Sequence, residues 1–259
     1  MRLLQEQDIA IAAELSAEAG WNQTADDWRM LLRLNPENCF GIDADGRLVS
    51  TATLMCYGKQ LGWIGMVLTT AAYRRRGFAR NLLLHAIERA DQLGIESLKL
   101  DATDQGQPLY ESLGFRAEQP VERWWRPQQP PCGAAIQPAP LLDHDFRAYG
   151  ADRSELLRAL TERSKAYAQA DGFCLSRLGR RANYIGPCIS QSAEFARLSI
   201  QTFAGQESYW DLLPQNQAAL NIAIELGFKP LRKLIRMVRG RDLRGREDWI
   251  YAIAGFELG

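Results

Sequence analysis

The sequence is poor in histidine, has no paired cysteines and carries no charge imbalance. Two histidines (His85, His144) and five cysteines (Cys39, Cys56, Cys132, Cys174, Cys188) are scattered along 259 residues without a Cys-x-x-Cys pair. That pattern argues against a zinc site or a disulfide framework and for reduced thiols in a cytoplasmic protein. Lys+Arg and Asp+Glu both number 31, so the formal net charge is zero. A neutral chain has no global field to collect nucleic acid or an anionic membrane, and neither is expected as a partner. No apolar run approaches the ~20 residues of a spanning helix, and Met1-Arg2-Leu3-Leu4-Gln5-Glu6 is too polar to read as a secretory signal.

What is present is enough apolar sequence, 46% of residues, for one large domain or two small ones. Five of the eleven prolines (Pro127, Pro130, Pro131, Pro138, Pro140) cluster around residues 128–140. A stretch unable to donate backbone hydrogen bonds at so many positions reads as an extended linker, dividing the chain into 1–127 and 141–259. In the first half the pattern predicts a strand at 1–5, a helix over 9–19 and a second helix opened by Thr24-Ala25-Asp26-Asp27, a capping-box start. A hairpin follows, 39–42 turning through Asp43-Ala44-Asp45-Gly46 into 48–57. Then come a strand over 63–69, a helix over 79–93 stopped by Gly94, a strand over 97–102, a helix through Tyr110 and a strand region ending at Trp124-Trp125.

Between the strand at 63–69 and the following helix stand Arg74-Arg75-Arg76-Gly77-Phe78-Ala79-Arg80. A helix N-terminus offers unpaired N–H groups and the positive end of the macrodipole, so this segment reads as a cradle for a pyrophosphate. Gly77 and Ala79 keep side-chain bulk away from the backbone, and the arginines add charge.

The spacing Arg74-x-x-Gly77-x-Ala79 after an apolar strand, followed some thirty residues later by Leu109-Tyr110-Glu111-Ser112-Leu113-Gly114-Phe115, resembles the GNAT family of acyl-CoA-dependent N-acyltransferases. The resemblance implies an α/β fold with a mixed central sheet flanked by helices, and acetyl-CoA as the cofactor. It implies that the backbone of Val67, Leu68 and Thr69 holds the pantetheine arm, that residues 74–80 hold the pyrophosphate, and that Thr103 stands where the family usually has asparagine beside the coenzyme. Tyr110 is then the general-acid candidate, since a phenol of ordinary pKa about 10 keeps its proton at neutral pH. The turn Trp21-Asn22-Gln23-Thr24-Ala25-Asp26-Asp27-Trp28 borders the acceptor pocket in this fold, making Trp21, Asn22, Asp27 and Trp28 the substrate-binding candidates. Two indoles and a carboxylate pair could enclose a cation; a helix cap flanked by packing aromatics is the structural alternative.

No glutamate stands on the two central strands to act as base. Asp101, Asp26, Asp27, Glu111 and a water chain are the alternatives, and neither histidine is assigned a role.

The second half resembles the first. Residues 63–69 align with Tyr184-Ile185-Gly186-Pro187-Cys188-Ile189-Ser190 at an offset of 121, and Leu113-Gly114-Phe115 with Leu226-Gly227-Phe228 at an offset of 113. The lost eight residues match the phosphate-binding loop, Tyr110 is replaced by Ala223, and Thr103 corresponds to Asn216. The expectation is a tandem of two GNAT-like domains, the second degenerate, acting on an amine of a small molecule or an exposed amino group. A non-catalytic acyl-CoA sensor and a protein-interaction module are the competing readings.

Overall fold

A computed structural model describes residues 1–128 and 142–259; the proline-rich stretch expected as a linker lies, but for its first residue, outside them. The first half forms strands β1 (Arg2–Leu3), β2 (Cys39–Ala44), β3 (Arg47–Tyr57), β4 (Leu61–Thr69), β5 (Ser97–Ala102) and β6 (Arg116–Arg126), with helices α1 (Ile9–Glu18), α2 (Ala25–Leu34), α3 (Phe78–Gln92) and α4 (Gln107–Glu111). The second half forms α5 (Leu142–Tyr149), α6 (Ser154–Thr161), β7 (Lys165–Gln169), β8 (Gly172–Arg177), β9 (Asn183–Ser190), α7 (Ala193–Phe203), β10 (Ser208–Leu212), α8 (Gln217–Glu225), β11 (Lys229–Gly240) and β12 (Ile250–Ala252). The predicted elements of the first half are all present, with ends displaced by no more than three residues.

All the strands join one mixed sheet, ordered β1-β2-β3-β4-β5-β11-β6-β10-β9-β8-β7, with β12 on β9. The two halves exchange strands: β11 lies between β5 and β6, and β6 lies between β11 and β10. The halves at 1–127 and 141–259 therefore each complete the other's sheet, which local periodicity does not encode.

Two buried ion pairs mark the exchange. Arg236 on β11 stands opposite Asp101 on β5 and forks onto its two oxygens at 2.9 and 3.1 Å. Arg123 on β6 stands opposite Asp211 on β10 at 2.7 and 2.6 Å. Each pair takes one partner from each half, and the bidentate geometry supplies the hydrogen bonds that a buried charge requires.

Apolar clusters cover both faces. On one face a shared core draws Leu4, Trp28, Trp63, Leu156, Phe173 and Ile253 from both halves. The opposite face is covered by α3 over the first half and by α7 and α8 over the second. Gly114 and Gly227, the matching glycines of the two Leu-Gly-Phe tripeptides, both adopt positive φ (87° and 76°) just after α4 and α8, a conformation that glycine enters without strain. Among the described residues no helix is long and apolar enough to cross a membrane.

Candidate active site

The site grows from a split between two parallel strands. β4 pairs with β5 only at Leu61↔Ser97, Gly62↔Leu98 and Trp63↔Lys99, although β4 runs on to Thr69. A bulge helps to open the gap: the β3–β4 register shifts between Thr51 and Thr53, and Met66 takes a φ of 49° with its carbonyl accepting from Thr51 Oγ1 at 2.8 Å. Beyond the bulge, the β5-facing edge of Val67, Leu68 and Thr69 has no ladder partner.

Eight residues then separate β4 from α3. Glu18 on α1 fastens the start of this loop, accepting from Thr70 Oγ1 and Ala71 N at 2.7 Å each. Gly77 caps α3 with φ 85°, and no side chain satisfies the N–H groups of the first turn. A Cβ built on Gly77 would meet nothing within 4 Å. The bare, uncapped start of a 15-residue helix, open on its approach side, suits a pyrophosphate. Arg74, Arg75, Arg76 and Arg80 are exposed around it, Phe78 and Ala79 partly so. Three of the arginines are oriented by nearby groups: Arg74 Nε donates to Thr69 O at 3.1 Å, Arg76 stacks 4.8 Å over the Tyr73 ring, and Arg80 Nη1 donates to Ser112 Oγ, just after α4, at 3.0 Å.

Tyr110 lies on α4 and Thr103 just before it, and the bond from Arg80 to Ser112 brings the end of α4 to the start of α3. Thr103 Oγ1 accepts from Gly106 N at 3.2 Å and so starts the turn into α4. Tyr110 is partly buried edge-on against Phe115, ring centroids 6.1 Å apart, and burial pushes its phenol up to about 12. A phenol so placed holds its proton throughout the physiological range.

A small polar cavity, with about 10 Å³ of free volume, lies where the first half meets the second, lined by Asn22, Gln23, Asp27, Arg123, Arg177, Tyr184 and Glu257 among others. Asn22 and Asp27 are thus brought together as expected of neighbours in one turn. The two tryptophans are not. Trp28 is 0% exposed in the shared core with Nε1 donating to Ser16 Oγ at 3.0 Å, and Trp21 packs against that core. The indole cage is corrected to the alternative: Thr24 and Asp27 form the capping box of α2, and the aromatics pack.

Asn22 also serves the junction, its Oδ1 accepting from Arg181 N at 2.8 Å and Ala182 N at 3.1 Å. Asp101 is removed as a base, because Arg236 occupies both of its oxygens.

The second half repeats the split and fills it. β9 pairs with β10 only from Asn183↔Ser208 to Ile185↔Trp210, and β12 then lies in the gap, opposite Ile189 and Cys188 of β9. Trp210 Nε1 donates to Tyr251 O at 2.7 Å, and Asn216 Nδ2 to Ile250 O at 3.0 Å and Asp248 O at 3.1 Å. Asn216, the counterpart of Thr103, is therefore satisfied by the protein's own backbone. Only Gln191 and Ser192 separate β9 from α7, so no phosphate cradle precedes that helix, and Ser192 caps it, accepting from Phe195 N at 3.2 Å.

An open strand gap and an uncapped helix behind a glycine turn are the features that suit an acyl-CoA transferase. Comparison agrees along the chain: a model of the acetyltransferase (GNAT) family matches residues 7–115, and a model of an acetyltransferase (GNAT) domain matches residues 141–252. The chain belongs to the GNAT acetyltransferases and carries two of their domains in tandem.

It is similar to the uncharacterized N-acetyltransferase YitH of Bacillus subtilis, with 26% identity over 246 residues, 87% of this chain and 86% of the relative. Glucosamine 6-phosphate N-acetyltransferase of Trypanosoma brucei brucei shares 32% identity over 80 residues, 29% of this chain and 54% of that protein. The fold is that of an acetyltransferase-class structure from Pyrococcus horikoshii, at TM-score 0.88 and 21% identity, covering 100% of this chain and 95% of the other. The family's acyl donor is acetyl-CoA, and the cradle at Gly77 with the β4 edge fits it.

Proposed function

We propose that the protein is an acetyl-CoA-dependent N-acetyltransferase whose reaction takes place in the first half, on an amine presented from the cavity between the halves. The observation that carries this reading is the uncapped start of α3 behind Gly77, continuous with the unpaired edge of β4. Bound there, the coenzyme supplies an acetyl group activated as a thioester. Residues 74–80 would hold its pyrophosphate, and Val67, Leu68 and Thr69 would fix the pantetheine arm by backbone hydrogen bonds, aiming a donor at the carbonyl. Tyr110 would hand its proton to the leaving sulfur.

Asn22 and Asp27 border the acceptor. The acceptor is a small amine or the tip of an amino-bearing chain whose nitrogen reaches the polar groups lining this small cavity. The second half contributes a wall and one strand of the catalytic sheet rather than a second active site. A reducing, cytoplasmic setting suits Cys174 and Cys188, free thiols directly opposed across β8 and β9.

The test is turnover of acetyl-CoA with a panel of amines, read as free thiol release and as mass of the acetylated product. Tight coenzyme binding with no product from any amine would support the sensor reading instead.

A further inference from the structure

The segment that fills the second half's gap does not stop there. Residues 253–259 cross to the first half and lie against β3 and β4. Ile253 N donates to Asp211 O at 3.0 Å, Arg177 Nη2 to Ala254 O at 2.6 Å, Trp63 Nε1 to Phe256 O at 2.9 Å and Tyr57 OH to Leu258 O at 2.7 Å. The approach is so close that a Cβ on Gly65 would lie 2.6 Å from the Glu257 carbonyl oxygen. Gly65 directly precedes the Met66 bulge, so Glu257 rests on β4 at the mouth of the gap. Its carboxylate turns into the junction cavity, where Gln23 Nε2 donates to Oε2 at 2.7 Å and Arg177 Nη2 stands 4.0 Å from Oε1.

We infer that Glu257, delivered across the molecule by the segment that plugs the second domain, is the general base that deprotonates the acceptor amine in the first. This rests on the acetyltransferase reading above.

The other carboxylates are committed elsewhere. Asp101 and Asp211 are each held by a bidentate arginine. Asp27 spends Oδ2 on the α2 cap, and its Oδ1 faces Arg163 Nη1 at 3.0 Å. Asp26 pairs with Arg29 on the surface, and Glu111 is exposed, bonded to Gln107.

The charged and titratable groups around Glu257 are Asp27 on α2, Arg123 on β6, Arg177 on β8, Tyr184 on β9 and Tyr57 on β3. Burial pushes the Glu257 carboxyl up to about 7; Arg177 and Arg123 oppose the rise and Asp27 adds to it. A base poised there is matched to neutral pH.

The protons and electrons balance with groups already named. Glu257 takes one proton from the acceptor ammonium and returns it to water after turnover. The freed nitrogen lone pair forms the C–N bond to the acyl carbon, and the C–S bond breaks with its electron pair on sulfur. Tyr110 protonates the sulfur, and the second nitrogen proton, lost as the amide forms, restores the phenol through solvent.

The test combines Glu257→Gln kinetics with the titration of Glu257 in the unmodified protein. Expected are a loss of about 10²–10⁴-fold in kcat/KM, disappearance of its acid limb near pH 7, unchanged coenzyme affinity, and a ¹³C-carboxyl NMR midpoint for Glu257 near 7 in the wild type. Wild-type activity that Glu257→Gln leaves intact, or a Glu257 midpoint in the ordinary carboxylate range, overturns the inference. A wild type that binds coenzyme but acetylates no amine instead overturns the functional reading beneath it.

Discussion

The two halves open the same gap and put different things in it. In the first, β4 and β5 part after Trp63, a glycine-started helix lies behind, and the edge is open to a ligand. In the second, β9 and β10 part after Ile185, the loop is two residues long, and β12 with Asn216 closes the gap from within. The comparison teaches that the framework and the cofactor site are separable. Shortening one loop removes the anion cradle, and a downstream segment then supplies the hydrogen bonds that the strand edge and Asn216 would otherwise lack. The degenerate domain keeps its gap because unpaired buried backbone must find a partner.

The largest expected effect falls on the chemistry that only the first half retains. Tyr110→Phe should lower turnover about 10²–10⁴-fold with coenzyme affinity nearly unchanged. Steady-state kinetics beside calorimetry would check this, and wild-type turnover would move the acid role to another group.

The shared framework predicts a symmetric loss. Arg236→Met leaves Asp101 buried without its partner, and Arg123→Met does the same to Asp211. Each should destabilise by about 3–5 kcal/mol in denaturant unfolding. A marked cost at only one of the two would show that the exchange is not reciprocal in energy. By the same logic a fragment of residues 1–127, deprived of β11 inside its sheet, should not yield a soluble monomer.

Glu257 sharpens the comparison through pH. Its carboxyl, raised from 4.5 to about 7 in the folded state, binds its proton more tightly folded than unfolded. The stability this contributes is full below the unfolded value and is lost as pH climbs through about 7. Relative to Glu257→Gln, the wild type should therefore lose on the order of 3 kcal/mol between pH 4.5 and 7. Parallel stability curves for the two proteins would contradict the burial assigned to this group.

The smallest effect is at the plug. Asn216→Ala strands the carbonyls of Asp248 and Ile250 and uncaps α8 at Ala219 N. A loss of about 1–3 kcal/mol is expected in thermal or denaturant unfolding, with no coenzyme site gained.

Much of this was legible in the sequence, where it was local. The Arg74–Arg80 loop, the capping box at Thr24 and the repeated Leu-Gly-Phe tripeptides carry their structure in their own residue types. The strand exchange was not, because Asp101 meets an arginine 135 positions away and no period marks which strand a β-run will pair with. Trp28 was misread as a pocket wall although it lies three residues before Leu31, on the buried stripe of α2. Glu257 did leave a signal: it is the only charged residue between Trp249 and Gly259. A carboxylate inside such an apolar stretch requires a reason.

The central claim is that one chain holds one coenzyme, on the first half. Isothermal calorimetry with coenzyme A should give a stoichiometry of one per chain. Gly77→Val should remove that site, since a β-branched side chain at φ 85° is strained and fills the open approach to the helix start. Two sites per chain, or undiminished affinity in the Gly77 variant, would contradict the account.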